Sequence, residues 1–511
     1  MIFDTFLKKD GKIVNIGVRQ KIIWKIIKGI TCVIGVIAIF FGFVGKFISK
    51  TYDSVEIEQI ISTMGRFTPE QGDTSITQSA LMYILAALFC SFLWCIIQFK
   101  VEKIICILVN LLEKRALPKF TRLFRRISCE HLSVFMLSIA VAGMLFSFSY
   151  IDKCIHFSDW LEAQDNDGID FYEEHYHVPD ISEIKFDKRK NLFIVLNESL
   201  ETTFASTEIE GGSLLKGVVA HTKNAQKVDN FIAVTYMNYT AGAVTAWSFG
   251  IPLNISIDGD YDYLRRGYLP NAVSIFDVLK ENGYKMVLII GSDKEFAGQD
   301  VLFETHGNFE IKDKDYWIKQ GFSLEKYKTK WGFSDSFVFE RACEEYQRLQ
   351  EEGEPFVLFV ETIDLHMPNG WCPPELVKYG DLRDAVLQND RVLSTFLDKV
   401  KTTLNDNTVL AVVGDHNFMG RPSFIEGIDR KVFNAFWGNG LKIPNNKCTE
   451  VCTAVDIAPT LLQMAGGTWD NDQFGLGISM LSDKPSLAER LGIEEFNKGL
   501  RIRSERYKEF Y

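Results

Sequence analysis

Three long uncharged runs constrain this chain before anything else does. Gly29 to Gly45 reads GITCVIGVIAIFFGFVG, Thr74 to Phe99 includes LMYILAALFCSFLWCII, and Leu132 to Ile151 is a third run of 20 residues. Each run, the first with its apolar flanks, is long enough to cross about 30 Å of hydrocarbon. Backbone in hydrocarbon must satisfy its own N–H and C=O groups, so each is expected as a helix. The spans are placed at about 29–48, 76–99 and 132–151, within a membrane region of residues 1–151. No convincing cleavage site follows the first run, so it reads as an anchor and not a removed signal.

Charge orients the spans. Residues 1–28 hold seven Lys/Arg against two Asp, and residues 100–131 hold eight Lys/Arg against three Glu. The segment 49–75 is mostly acidic, with five Asp/Glu and two Lys/Arg. The positive-inside bias then sets the N-terminus and the 100–131 loop in the cytoplasm, and everything after Ile151 outside it. The apolar piece IICILVNLL at 104–112 is too short to cross and is expected to lie along the inner surface. The net charge of −11 argues against nucleic acid as a partner. The ten Cys are scattered, with no metal-type CxxC spacing.

Residues 152–190 are polar and acidic and read as a juxtamembrane linker. His156, His175 and His177 lie there and are ordinarily solvated. From residue 191 short apolar runs alternate with amphipathic helices: NLFIVLNES, SIFDVLKENGYKMVLIIGSD, SDSFVFERACEEYQRLQEEG followed by PFVLFVETIDLH, and RDAVLQNDRVLSTFLDKVKTTL followed by TVLAVVGDH. That alternation predicts an α/β fold with a doubly wound, mostly parallel sheet. We assign it to an extracytoplasmic domain at 191–485, followed by a charged tail at 486–511 that is expected to be helical at the surface.

Three of those strands end in groups that bind ligands: Glu198, then Asp364 and His366, then Asp415–His416. Parallel strands bring their carboxyl ends to one edge of the sheet. Glu198, Asp415 and His416 there would form an O/O/N set for Mn²⁺, Mg²⁺ or Zn²⁺. A carboxylate just ahead of a helix is ordinarily a cap, and that reading stays open for Glu198 and Asp415. Thr240, in NYTAGAVTAWSFGIPL, stands where a helix begins. Its default role is also an N-cap; the functional alternative is a metal-activated hydroxyl beside a bound phosphate.

The blocks NLFIVLNES, NYTAGAVTAWSFGIPL, GYKMVLIIGSDKEFAGQDVLFETHGNFE, WGFSDSFVFE, ETIDLHMPNGW, VVGDH and VDIAPTLLQMAG with FGLGISML occur in the order found in sulfatase-like phosphoglycerol transferases. That group includes lipoteichoic acid synthases and periplasmic glucan phosphoglycerol transferases, and the resemblance covers roughly 190–480. It implies a sulfatase/alkaline-phosphatase-like fold behind an α-helical transmembrane region. It implies Glu198, Thr240, Asp415 and His416 as ligands of a divalent metal, Mn²⁺ first, with Mg²⁺ or Zn²⁺ as alternatives. Thr240 would be the nucleophile, taking phosphoglycerol from phosphatidylglycerol as a phosphothreonine, and His366 would bind phosphate or protonate a leaving group. A hydroxyl of an envelope glycan or glycolipid would accept the group, at the outer side of a bacterial cytoplasmic membrane.

The chain departs from lipoteichoic acid synthases in the head-group pocket. Ala297 and Gln299 stand where that family has a Trp and an Arg, and Gly420 stands for a Ser, with Arg421 beside it. Gln299, Trp331, His306 and Arg421 are therefore the substrate-binding candidates, with Lys294 and Asp335 as further ones. Trp331 reads equally as core, His306 as a satisfied structural histidine and Arg421 as solvated. A sulfatase nucleophile requires Cys or Ser in a C/S-x-P-x-R context, which the sequence lacks. Phosphoethanolamine transfer and phosphodiester hydrolysis on the same fold are the competing reactions.

Overall fold

The computed structural model describes residues 8–9, 12–13, 18–53, 55–64, 74–114, 129–164, 170–254 and 267–511. The remainder of the expected cytoplasmic loop (115–128) and part of the expected linker (165–169) lie outside the described residues. The chain divides into two compact units: residues 1–55 with 67–157, and residues 56–66 with 158–511.

The first unit is built from α1 (Val18–Thr51), α3 (Thr74–Lys114) and α4 (Cys129–Ile155). Among the described residues, Ile22–Thr51, Ile76–Lys100 and Leu132–Ile155 are long and apolar enough to cross a membrane. Small residues let these helices approach one another, since a Cβ on Gly35 would overlap the Trp94 indole and one on Gly42 would meet Ser147 Oγ at 3.1 Å. The piece 104–112 is not a separate surface helix; it continues α3. No Gly or Pro occurs between Thr74 and Lys114 to break the helix there.

The second unit takes in α2 (Ile57–Met64), although that helix lies in sequence between two apolar helices. Its core is a six-stranded sheet of β1 (Asn191–Asn197), β2 (Lys285–Ile290), β3 (Glu310–Lys312), β4 (Phe356–Glu361), β5 (Thr408–Gly414) and β6 (Asn434–Trp437), in the order β3-β2-β4-β1-β5-β6. Every pairing is parallel except β5 with β6. All residues of β1, β4 and β5 are buried, as expected of strands covered on both faces. One face packs on α5 (Thr240–Phe249) and α10 (Ile457–Met464) through Leu192, Ile194, Leu196, Val357, Phe359, Ala411 and Val413. On the other face Phe193 meets Tyr346 of α8 (Asp335–Glu352) and Phe396 of α9 (Leu382–Thr403).

Two expectations about the flanks of this domain do not hold. Residues 170–186 are built into the domain and do not form a linker. Phe171 and Tyr172 are buried in the core, and Lys185–Phe186 pairs with Gly467–Thr468. The tail after Ser486 is helical but not merely superficial, since Leu487, Phe496, Leu500, Tyr507 and Phe510 all join the core. Its charges occupy one face and these apolar residues the other.

Candidate active site

Glu198, Asp415 and His416 converge as the parallel topology requires. Their ligand atoms all lie within 4.8 Å of one another, and all three residues are buried. Alternation explains the aim. Leu196 and Val413 face the α5 side, so two residues on, past the strand ends, Glu198 and Asp415 face it as well. The turn after β1 is fixed by backbone donors. Glu198 N–H donates to Thr362 Oγ1 at 2.9 Å and Ser199 N–H to Asp415 Oδ1 at 2.7 Å. Ser199 sits at φ 52°, a left-handed conformation that turns the chain sharply.

Thr240 is the first residue of α5, a ten-residue helix buried along its whole length. Its hydroxyl donates to Glu198 Oε2 at 3.1 Å and lies 3.4 Å from His416 Nε2. The N-cap position belongs to Tyr239, which makes no side-chain cap. Thr240 therefore points its oxygen at the ligand triad and does not close the helix end. The first-turn N–H groups of a buried helix suit a phosphate beside it.

The triad fits a divalent cation. Asp415 Oδ2 lies 3.1 Å from His416 Nε2, yet it receives no aligned hydrogen bond. His416 Nδ1 is 2.7 Å from the Asn417 carbonyl and donates to it, which leaves the Nε2 lone pair for a metal. Without a cation the burial penalty pushes the Glu198 carboxyl up to about 8, with Asp415 adding to it. Two buried carboxylates this close call for a positive charge between them.

The remaining candidates fall into separate groups. His366 packs on Trp331, with ring centroids 4.5 Å apart, and on Phe296 at 6.1 Å. Burial lowers the imidazole to about 4, so it is neutral at ordinary pH. Its Nδ1 is 3.1 Å from the Met367 carbonyl. Asp335 fixes the loop that carries His366, accepting from the N–H groups of Ile363 at 2.8 Å and Asp364 at 3.2 Å. Gln299 donates through Nε2 to Glu361 Oε1 at 2.5 Å. His306 is saturated, with Asp277 Oδ2 and the Tyr268 carbonyl each 2.7 Å from a ring nitrogen, which is the structural-histidine alternative. Arg421 is exposed, and Lys294 pairs with Glu304 at 3.0 Å.

Glu361 is absent from the sequence-based candidates. It ends β4, in register with Leu196 of β1 and Ile290 of β2. Val357 and Phe359 face α5, so Glu361 does too, in line with Glu198 and Asp415. Burial first, then those two carboxylates, raises it to about 8. The signal was available: a Glu closing an otherwise apolar strand, FVLFVE.

A buried hydroxyl at a helix N-terminus, set against two carboxylates and an imidazole at the carboxyl edge of a parallel sheet, is an arrangement suited to metal-assisted group transfer. Residues 190–467 match the profile of the sulfatases, and the chain belongs to that family. It is similar to the protein named phosphoglycerol transferase I of Xanthomonas axonopodis pv. citri (strain 306), with 26% identity over 337 residues, 63% of this chain and 47% of that one. The protein of the same name from Escherichia coli O6:K15:H31 is 26% identical over 358 residues, 66% of this chain and 45% of that one. The chain thus spans about half the length of the relatives it matches. Among solved structures, the lipoteichoic acid synthase LtaP from Listeria monocytogenes superposes with a TM-score of 0.47 at 20% identity, over 61% of this chain and 80% of that one.

Proposed function

We propose that this chain is a membrane-anchored, metal-dependent phosphoglycerol transferase. It takes phosphoglycerol from phosphatidylglycerol onto Thr240 and passes it to a hydroxyl of a cell-envelope glycan or glycolipid. The observation that carries this reading is the Thr240 hydroxyl, 3.1 Å from Glu198 Oε2 at the head of a buried helix. The resemblance to phosphoglycerol transferases supports the head group. The apolar helices and the charge bias around them support a catalytic unit outside the cytoplasmic membrane, with the N-terminus inside.

Glu198, Asp415, His416 and the Thr240 oxygen would hold the divalent ion, with Mn²⁺ as our first choice. When bound, it would make the Thr240 alkoxide accessible and spread the charge of the transferring phosphoryl group. Thr240 Oγ attacks phosphorus, the bond to the diacylglycerol oxygen breaks, and phosphothreonine forms. The Thr240 hydroxyl proton, which Glu198 Oε2 accepts in a hydrogen bond, would be lost to water when the ion is bound, so Thr240 Oγ attacks as the alkoxide and leaves phosphorus as the alkoxide. In the second half-reaction the acceptor oxygen attacks phosphorus and the Thr240 Oγ–P bond breaks. The neutral His366, its Nδ1–H held by the Met367 carbonyl, presents Nε2 to take the acceptor's proton. A proton gained there serves the leaving diacylglycerol oxygen in the next cycle.

The test uses the full-length protein in vesicles of labelled phosphatidylglycerol with Mn²⁺ and no acceptor. Release of diacylglycerol and a phosphoglycerol adduct that maps to Thr240 are expected, and both are lost in Thr240→Ala. Diacylglycerol release that survives Thr240→Ala sinks the nucleophile assignment. Consumption of phosphatidylethanolamine with phosphatidylglycerol untouched sinks the head group.

A further inference from the structure

The carboxyl end of β1 is tied to α9 by a pair of buried amides. Asn389 Nδ2 donates to Asn197 Oδ1 at 3.1 Å. Asn197 is fully buried and Asn389 is 1% exposed. The second amide atom of each, Asn197 Nδ2 and Asn389 Oδ1, has no partner among the described residues. An amide pair buried with atoms unmet adds little stability, and two apolar side chains of the same shape would serve as well or better. What such a pair can supply is register, because its one bond forms at a single alignment of helix and strand.

Position gives that register a use. Phe193 and Asn197 share one face of β1, and Phe396 and Asn389, two turns apart, share one face of α9. The contacts Phe193–Phe396 and Asn197–Asn389 therefore run antiparallel along one seam. One turn nearer the start of α9, Ala385 packs on the turn His366–Gly370. A Cβ built on Gly370, at φ 65°, would lie 2.4 Å from Ala385 Cβ and 2.9 Å from the Asp364 carbonyl oxygen. The Gly370 N–H donates to the His366 carbonyl at 3.0 Å, and the Trp371 N–H to the Asp364 carbonyl at 2.6 Å. Beside Ala385, the buried Asp384 carboxylate accepts from the N–H groups of Lys378 at 2.9 Å, Tyr379 at 3.0 Å and Gly380 at 2.6 Å. At the other end of the seam, Asn197 is followed directly by Glu198.

We propose that Asn197 and Asn389 form a register latch. It sets α9 along β1, and so fixes the spacing between Glu198, which follows β1, and the His366 turn, which rests on α9. Both asparagines are positioning residues for group transfer. The latch rests on the reading of Thr240 and His366 above and deepens it. Glu198 and Asp415 have supports of their own, from the Glu198 N–H to Thr362 and from the Ser199 N–H to Asp415. The latch therefore acts on the distance to His366 and not on the ion.

A double-mutant cycle in the full-length protein tests it, with kcat and KM for diacylglycerol release, Tm and Mn²⁺ binding measured on each variant. Asn197→Leu with Asn389→Leu replaces both amides by apolar groups of the same branched shape. That protein is expected to keep its Tm within a few degrees of wild type and its Mn²⁺ affinity within about threefold, and to lose about tenfold or more in kcat with KM changed by less than about threefold. In a His366→Ala background the same pair of replacements is expected to cost less than about threefold further, because the group it misplaces is gone. Asn389→Ala cannot overpack the seam; it carries the same expectations for kcat and for the cycle, and it decides the case where the Leu pair does not fold. A folded variant with kcat within about threefold of wild type, or an equal loss with and without His366, overturns the latch. The donor is whichever of phosphatidylglycerol and phosphatidylethanolamine wild type consumes, so a failed head-group reading and a failed latch give different results.

Discussion

Gly242 gives the sharpest test of how α5 aims Thr240. A Cβ built on Gly242 would lie 2.1 Å from the Tyr236 carbonyl oxygen and 3.0 Å from Tyr239 Cε1. Carbon and oxygen not bonded to each other normally stay more than about 3 Å apart, so Gly242→Ala forces about 1 Å of movement. The Tyr236 carbonyl cannot give way easily. Tyr236 is buried, holds a left-handed φ of 62°, and donates its hydroxyl to Glu58 Oε1 at 2.5 Å. The strain therefore falls on the first turn of α5, which carries Thr240 two residues earlier. Overpacking of this kind costs about 1–3 kcal/mol of stability. A misplacement of about 1 Å at a reacting group costs about a hundredfold in rate. The assay is steady-state diacylglycerol release with kcat and KM resolved, together with thermal unfolding. A fall in kcat near a hundredfold is expected, with KM changed by less than about threefold. A Gly242→Ala enzyme with wild-type kcat would refute the claim that close packing at Tyr236 positions Thr240, the proposed nucleophile.

Two further substitutions probe the supports of the site. Arg430 holds the buried Glu201, which also accepts the Phe418 N–H at 2.9 Å, and Arg430 Nη2 donates to the Phe418 carbonyl at 2.6 Å. This clamp fixes the loop whose Asn417 carbonyl orients His416. Arg430→Met is expected to cost about 3–5 kcal/mol in thermal or denaturant unfolding and to weaken Mn²⁺ binding by about tenfold or more; Glu201→Gln in the same chain should recover part of the stability. Glu58 gives a pH test. Burial, opposed by the Tyr236 hydrogen bond, raises its carboxyl from 4.5 to about 7. A carboxyl raised in the folded state favours folding fully below pH about 4.5 and loses that contribution as pH rises to about 7. Glu58→Gln should therefore match wild type near pH 4.5 and gain up to about 3 kcal/mol at pH 8, or a few degrees in Tm. A Tm difference that does not change with pH would rule this out.

Much of the catalytic unit was legible because strand ends are legible. NLFIVLN, KMVLII, FVLFVE and TVLAVVG are apolar throughout, and each is a strand. The residues just beyond the first and last of these include Glu198 and Asp415–His416, which do converge. The short edge strands β3 and β6 carried too little pattern to be read. The same uniform burial that marks the central strands also hides which face each residue occupies. FVLFVE shows no polar alternation, so the aim of Glu361 follows only from its register with Leu196 and Ile290. The head-group candidates were harder still. Gln299 was singled out for what it replaces, but its partner lies 62 residues away and is known only from the fold.

The least legible feature is also one that binds the segment leading into Thr240 to the rest of its unit. Glu56, ahead of α2, forms a buried ion pair with Arg501, 445 residues further on, at 2.7 and 3.2 Å. Its carboxylate also accepts from Thr235 Oγ1 at 3.3 Å, and Glu58 accepts from Tyr236. Gln59 Nε2 reaches Asn238 Oδ1 at 3.4 Å. A short acidic stretch that reads as a polar loop thus touches Thr235, Tyr236 and Asn238, three of the six residues leading up to Thr240. Nothing local in VEIEQ predicts this, because Glu56 and Glu58 each meet a group brought in by the tertiary fold. Burying charge so heavily is justified only if the pairs are complete, and here Arg501, itself from the charged tail, completes the Glu56 pair. The tail therefore acts through position: its apolar face joins the core, and its one buried guanidinium holds the acidic stretch against the segment that leads into Thr240.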